Sequence, residues 1–328
     1  MARNSSEDVI MHMEPDIPVS IVLTLTSIVT ILANIYIIIV IVKTKSLHTP
    51  AGNMMISLAC SDFMVGWSHN VPLWYSDANG VMGHKWFVCQ FPSVFVCGCC
   101  VTSIYTLGLL SVDKYIAITR PLRYNDFVTI PRSVILIIGV WVFSITIWIP
   151  PLFDLPGSGD YYFEEAARVC YFDSTTSPYY TLLVVGGVFG LVSMVIGFCY
   201  FKILKISLAQ SKKMAETITS DSNGPKISKT NKKAIRTLLI IVSAFYIAWT
   251  PYCTEWVIRG FVGAYFTPDW FLVATSTLAV SNSYFNAFIY TLTNRRFRHS
   301  AITIFMPYWG RNRVSPNTMV TDLTTHDT

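Results

Sequence analysis

Asp62 is the one acidic side chain inside an otherwise uncharged apolar run from Met54 to Trp74. An ionisable group is costly to bury in hydrocarbon, so it is a functional candidate by default, either as a cation ligand or as a protonated or water-bonded acid. The other residue types that do chemistry are scattered. Six histidines share no metal-ligand spacing, and no paired Cys-x-x-Cys set accompanies them. The chain has no Walker loop, no Gly-x-Ser-x-Gly elbow and no Ser/His/Asp set, which leaves catalysis the weakest class of function.

The elements that must position Asp62 follow from composition. Of 328 residues, 52% are hydrophobic and 13% are charged, against about 25% charged in an ordinary soluble chain. The apolar residues fall in seven blocks: Ile17 to Val42, Met54 to Trp74, Phe91 to Leu110, Ser133 to Phe153, Pro178 to Phe201, Thr237 to Thr254 and Trp270 to Thr293. Each is long enough to cross a bilayer core of about 30 Å as a helix, the form that pairs its own backbone groups away from water.

Seven crossings put the termini on opposite sides, and 20 of the 24 Lys and Arg residues fall on the side of the first, third and fifth connections and the tail. The positive-inside rule then predicts an outer N-terminus and a cytosolic tail. The net charge of +5 reflects this topology and contact with anionic lipid, and does not call for nucleic acid. The first 16 residues are polar and acidic, so no signal peptide is expected and the first span serves as its own insertion signal. Asn4-Ser5-Ser6 is a glycosylation acceptor on the predicted outer side. Cys60, Cys97, Cys99, Cys100, Cys199 and Cys253 lie within spans, where a small soft hydrophobe is the ordinary role. Cys89 and Cys170 are the two on the oxidising side and form the natural disulfide pair.

Topology of this kind suits a receptor, a retinal pump or a transporter half. Residues at set points in the spans are more selective. They are Asn34; Leu58-Ala59-Cys60-Ser61-Asp62; Cys89 and Asp113-Lys114-Tyr115 at the two ends of the third span; Trp141; Tyr200; Phe245-x-x-Ala248-Trp249-Thr250-Pro251; and Asn286-Ala287-Phe288-Ile289-Tyr290 followed by Arg295-Arg296-Phe297-Arg298. This succession resembles the rhodopsin-like (class A, family 1) G-protein-coupled receptors from about Ile17 to Phe305. The resemblance implies an all-α membrane protein: a seven-transmembrane helix bundle over 17–305 with an amphipathic helix after the last span, an extracellular segment 1–16 and a cytoplasmic tail 306–328.

Several stretches are most similar to opsins and melatonin-type receptors, among them Leu47 to Asn53, Pro150 to Phe153, Val169 to Asp173 and Ala248 to Tyr252. The lysine that carries retinal in opsins corresponds to Val280, and no Lys occurs between Trp270 and Thr293, so no covalent retinal is expected. The aspartate that pairs with the ammonium in amine receptors corresponds to Val96. Ala287, where most of the family has Pro, is shared with melatonin-type receptors.

By the same resemblance, a ligand pocket is lined by Val96, Cys97, Cys100, Val184, Val188, Trp249, Tyr252, Glu255, Trp256 and Val280. It is apolar and aromatic, with Glu255 as the one charge near its mouth, unless that residue sits in outer water; such a pocket suits a small, flat or lipid-like ligand. Asp62 with Ser103, Asn282, Ser283 and Asn286 resembles a Na⁺ pocket, an exchangeable ion and not a required cofactor. Pro251 kinks the sixth helix, and Trp249, Phe245 and Ile104 relay from pocket to core. Val192 replaces the family's fifth-helix proline, which predicts a more regular helix there.

At the inner end the resemblance implies that Asp113, Lys114 and Tyr115 with Tyr200, Tyr290 and Asn286 form the G-protein switch. Lys114 stands where the family has Arg and loses its planar fork, and Asn231 replaces a locking Glu. Both changes weaken the inactive state and predict raised basal activity. The inner loop centre, Thr217 to Thr230, reads as a flexible linker, and Arg295 to Phe305 as an amphipathic helix on the membrane. Implied partners are a heterotrimeric G protein at the plasma membrane, and receptor kinases and arrestin at Ser315, Thr318, Thr321, Thr324 and Thr325; the tail has no Cys for palmitoylation. The alternatives are an opsin-like protein that binds retinal noncovalently or acts without light and, more remotely, a transporter or channel, which should show repeats or further mid-span acids.

Overall fold

A computed structural model describes residues 11–12, 17–79, 81–82, 86–153, 155–165, 167–217 and 229–306. The glycosylation acceptor Asn4, the centre of the inner loop and the tail hydroxyls lie outside the described residues, as does the side chain of Asn231.

A two-residue strand β1 (Met11–His12) pairs antiparallel with β2 (Val81–Met82), and α1 (Ile17–Lys43) is the first long helix. Next, α2 (Pro50–Ser68) starts at Thr49, whose hydroxyl accepts from Gly52 N, with Pro50 preset for the first turn. The second span is not one helix to Trp74 as its apolar run predicts. It breaks at His69 and Asn70 and resumes as α3 (Val71–Asn79). Pro72 has no N–H to carry the ladder through, and the Asn70 amide fastens the break to α1 by donating to Leu23 O at 2.8 Å.

Helix α4 (Phe91–Thr119), preceded by a π-helical turn over Trp86–Gln90, runs well past the predicted Leu110 and lies at the centre, packed on α2, the fourth-span helix and the fifth. A one-turn α5 (Tyr124–Phe127) leads to α6 (Ile130–Thr146), capped by Thr129. The hairpin β3 (Tyr161–Glu164) and β4 (Val169–Phe172) follows, with Tyr161 opposite Phe172 and Phe163 opposite Cys170.

The fifth span comprises α7 (Pro178–Leu182), π-helical turns over Leu183–Gly190, and α8 (Leu191–Thr217). The predicted regularity here is overturned. Losing a proline at Val192 does not straighten a helix whose preceding two turns contain Gly186, Gly187 and Gly190, because glycine admits a wide turn with little steric resistance. Then come α9 (Lys229–Phe261), with Pro251 inside it, α10 (Asp269–Thr293) and α11 (Arg295–Phe305).

Seven long helical segments can be counted among the described residues. Four of them, Ile17–Lys43, Val88–Thr119, Ile130–Phe153 and Pro178–Ile206, are long and apolar enough to cross a membrane on composition alone. The second and seventh are less apolar because Asp62, Asn282, Ser283 and Asn286 turn inward and are buried against neighbours. The sixth carries Glu255 and Arg259 near its C-terminal end, also buried. Outward faces are apolar: Ile135, Val142, Met194 and Ile247 are all more than 60% exposed, as lipid contact requires.

Helices approach closely at small residues. A Cβ on Gly66 would stand 2.9 Å from Thr30 Cγ2, and one on Gly98 would stand 2.5 Å from Ile145 Cδ1, so both glycines set contact distances. The main core joins Ile37, Leu58, Ile104, Leu107, Val192, Phe245 and Tyr290. A second cluster of Trp148, Tyr161, Phe172, Val184 and Val188 supports the hairpin.

Candidate functional site

Asp62 is 1% exposed, and both carboxyl oxygens are engaged. Ser103 Oγ on α4 lies 2.9 Å from Oδ1, and Asn286 Nδ2 on α10 donates to Oδ2 at 2.7 Å. Ser61 Oγ lies 2.9 Å from Ser103 Oγ. Asn282 and Ser283 are buried on α10, and the Ser283 carbonyl accepts from Asn34 Nδ2 on α1 at 3.0 Å. Three helices, α2, α4 and α10, therefore meet at one carboxyl group, and Asn34 ties α1 to α10 beside it. A charged carboxylate in such a place needs a proton or a cation, and the oxygens of Asp62, Ser61 and Ser103 are the hard donors that suit a small monovalent ion. Among the described residues no group of His, Cys, Asp and Glu side chains could hold a transition metal.

Between this carboxyl group and the β3–β4 hairpin lies a cavity of about 90 Å³. Nine of the ten residues expected there line it: Val96, Cys97 and Cys100 from α4, Val184 and Val188 from the π-helical turns, Trp249, Tyr252 and Trp256 from α9, and Val280 from α10. Glu255 is the exception, and it is not in outer water either. It is fully buried on another face of α9, where Thr275 donates to Oε2 at 2.9 Å and Arg259 Nε lies 3.0 Å from Oε1. An Arg one helical turn away offered a closer partner than any ligand, and that i,i+4 spacing was readable in the sequence.

Lining residues not anticipated include His69, Trp148, Tyr171, Phe189 and Ser276. His69 enters through the break after α2, and Tyr171 through the hairpin, neither of which a helical pattern could locate. No Asp, Glu, Lys or Arg is among the lining residues. Aromatic contacts run without a gap from the hairpin inward: Phe172 to Trp256 at 5.8 Å, Trp256 to Tyr252 at 5.2 Å, Tyr252 to Trp249 at 6.0 Å and Trp249 to Phe245 at 5.8 Å.

The hairpin that roofs the cavity is held at several points. Cys89 and Cys170 are bonded, tying β4 to the turn before α4. Arg168, whose φ of 54° lies in the left-handed region, pairs with Asp77 of α3 at 2.7 Å. Arg259 gathers Glu255, Glu164 at 3.3 Å and Thr267 at 2.8 Å, and donates to Tyr162 as well. Burial, with the Glu164 carboxylate beside it, pushes the Tyr162 hydroxyl above its usual range.

At the end of the bundle away from the hairpin Lys114 Nζ lies 2.6 Å from Asp113 Oδ2, and Tyr124 of α5 donates to Oδ1 at 2.6 Å. Burial and that carboxylate together raise the Tyr124 hydroxyl above its ordinary range. Lys114 thus keeps the charge partner that the resemblance implies, through an ammonium without a planar fork. Tyr115 packs on Phe198 at 6.0 Å; Tyr200 and Tyr290 are buried in the main core. Asn294 caps α11 by accepting from Arg296 N and Phe297 N, and Phe297 is fully buried against Tyr36 and Tyr290.

Residues 33–290 match the family described as 7 transmembrane receptor (rhodopsin family). Trace amine-associated receptor 9 of Mus musculus is 29% identical over 289 residues, covering 84% of this chain and 81% of that one. G-protein coupled receptor 52 of Mus musculus is 30% identical over 290 residues, covering 85% and 78%. Squid rhodopsin superposes with a TM-score of 0.76 at 24% identity, covering 97% of this chain and 94% of that one, a likeness of fold.

Proposed function

Because the chain belongs to the rhodopsin family of seven-transmembrane receptors, we propose that it is a plasma-membrane receptor with an outer N-terminus that turns occupancy of its outer cavity by a small apolar or aromatic ligand into G-protein activation. It is a multi-pass membrane protein and a G-protein-coupled receptor.

The observation that carries the proposal is the position of Trp249 and Phe245. Both line the cavity, and Phe245 also belongs to the main core that reaches Tyr200 and Tyr290. A ligand that presses on Trp249 therefore acts on the helix containing Pro251, whose missing hydrogen bond lets the inner half pivot. Lys114, 27% exposed in its side chain, then exchanges Asp113 for an acceptor on the G protein. Asp62 would hold Na⁺ with Ser103, Asn282, Ser283 and Asn286, with Ser61 beside Ser103, and so favour the resting arrangement; the ion supplies charge neutralisation alone.

A G-protein reporter in cells, challenged with neutral aromatic and lipid-like compounds including melatonin, tests this reading. A response that disappears in Trp249→Ala at matched surface expression supports it. Purification after adding retinal tests the opsin-like alternative. No lysine lines the cavity, so an imine has no amine to form on. A visible band bleached by light would favour noncovalent retinal instead.

A further inference from the structure

Resting on the receptor reading above, we propose that the cavity selects neutral ligands with a hydrogen-bond acceptor at one pole, and that the indole N–H of Trp148 reads that acceptor. Trp148 is 2% exposed and lines the cavity, and its Nε1 has no acceptor among the described residues. Indole nitrogen can only donate, so a buried Nε1–H left unpaired is unfavourable until an acceptor arrives.

The donor is also fixed in place. Tyr161 donates to the Trp148 carbonyl at 2.8 Å, and the ring meets Phe172 at 5.5 Å, Trp256 at 5.9 Å and Tyr180 at 6.3 Å, each edge to face. Little motion remains to be lost when a ligand binds. Charge selectivity follows from the rest of the wall. Glu255 and Arg259 neutralise each other away from the cavity, and no acidic side chain lines it, so an ammonium would be desolvated without a counter-charge. Similarity to an amine-named receptor therefore does not extend to the residues that would hold an amine.

Three probes of one shape separate the possibilities: 2-acetylnaphthalene, 2-ethylnaphthalene and 1-(2-naphthyl)ethylammonium. Binding is read as the rise in Tm of the full-length protein in lipid nanodiscs. The ketone is expected to half-saturate at about fivefold lower concentration than the hydrocarbon, as one net hydrogen bond implies, and the ammonium to give no shift. In Trp148→Phe the ketone should fall to the level of the hydrocarbon while the hydrocarbon still binds, which shows that the variant is folded. If that variant does not fold, β-(3-benzothienyl)alanine at position 148 keeps the bicyclic shape without the N–H and should give the same equalisation. Binding of the ammonium as tight as the ketone, a ketone preference that survives either replacement, or no shift with any probe overturns the inference. The receptor reading fails separately, by absence of G-protein nucleotide exchange, whatever these probes do.

Discussion

Trp249 stacks on Phe245 with ring centroids 5.8 Å apart and planes at 21°, so the cavity wall and the core of the bundle share one aromatic contact. Such a pair contributes on the order of 1 kcal/mol beyond its area. Phe245→Leu keeps an apolar side chain but loses the stack. Ligand-driven nucleotide exchange should fall about fivefold at unchanged surface expression, the factor that order of energy implies. Unchanged exchange would remove Phe245 from the relay.

Asp113 holds Lys114 and accepts from Tyr124. With Lys114 partly exposed, the pair is worth no more than about 1 kcal/mol, or about fivefold in a two-state population. Asp113→Asn should therefore raise basal G-protein exchange by a few-fold, as second-messenger output at matched expression would record. A fall in basal output would count against the restraint.

Asp62→Asn replaces the carboxylate by a group without charge. In wild type, exchanging K⁺ for Na⁺ at constant ionic strength should raise Tm, and the increment should vanish in the variant. A Na⁺ increment that persists in Asp62→Asn would place the ion elsewhere.

Arg259 is buried with two carboxylates around it, Glu255 and Glu164. Removing it leaves Glu255 charged and dry, a loss of about 3–5 kcal/mol when a buried pair is broken. Arg259→Met should lower Tm sharply, and adding Glu255→Met should restore part of the loss. Equal Tm for the single and double variants would show that the pair is not coupled.

Cys89 and Cys170 close a loop 81 residues apart in sequence, for which chain entropy gives about 4.5 kcal/mol. Cys89→Ser and Cys170→Ser should each lose surface expression to the same extent. Normal folding of either would contradict a stabilising role for the bond.

Most of the bundle is legible in the sequence because bilayer spans need long apolar runs, and α11 is legible at both ends because Asn294 caps it and Phe305 ends its apolar face. Wherever local backbone chemistry overrides the apolar run, the pattern misleads. Pro72 splits the second span, and Gly186, Gly187 and Gly190 widen the fifth despite Val192. The cavity shows the same division. Val96, Trp249 and Val280 lie where the resemblance puts them, while His69, Trp148 and Tyr171 arrive from a helix break, a helix end and a hairpin. Glu255 faces elsewhere because Arg259 sits one turn on.

The account rests on coupling between this bundle and a G protein, and nucleotide exchange on purified heterotrimers tests it most directly. Full-length protein in lipid nanodiscs should accelerate exchange above empty nanodiscs for at least one G-protein class, and Lys114→Ala should abolish the acceleration. Rates equal to those of empty nanodiscs for every class, with the saturating neutral ketone probe present or absent, would contradict it.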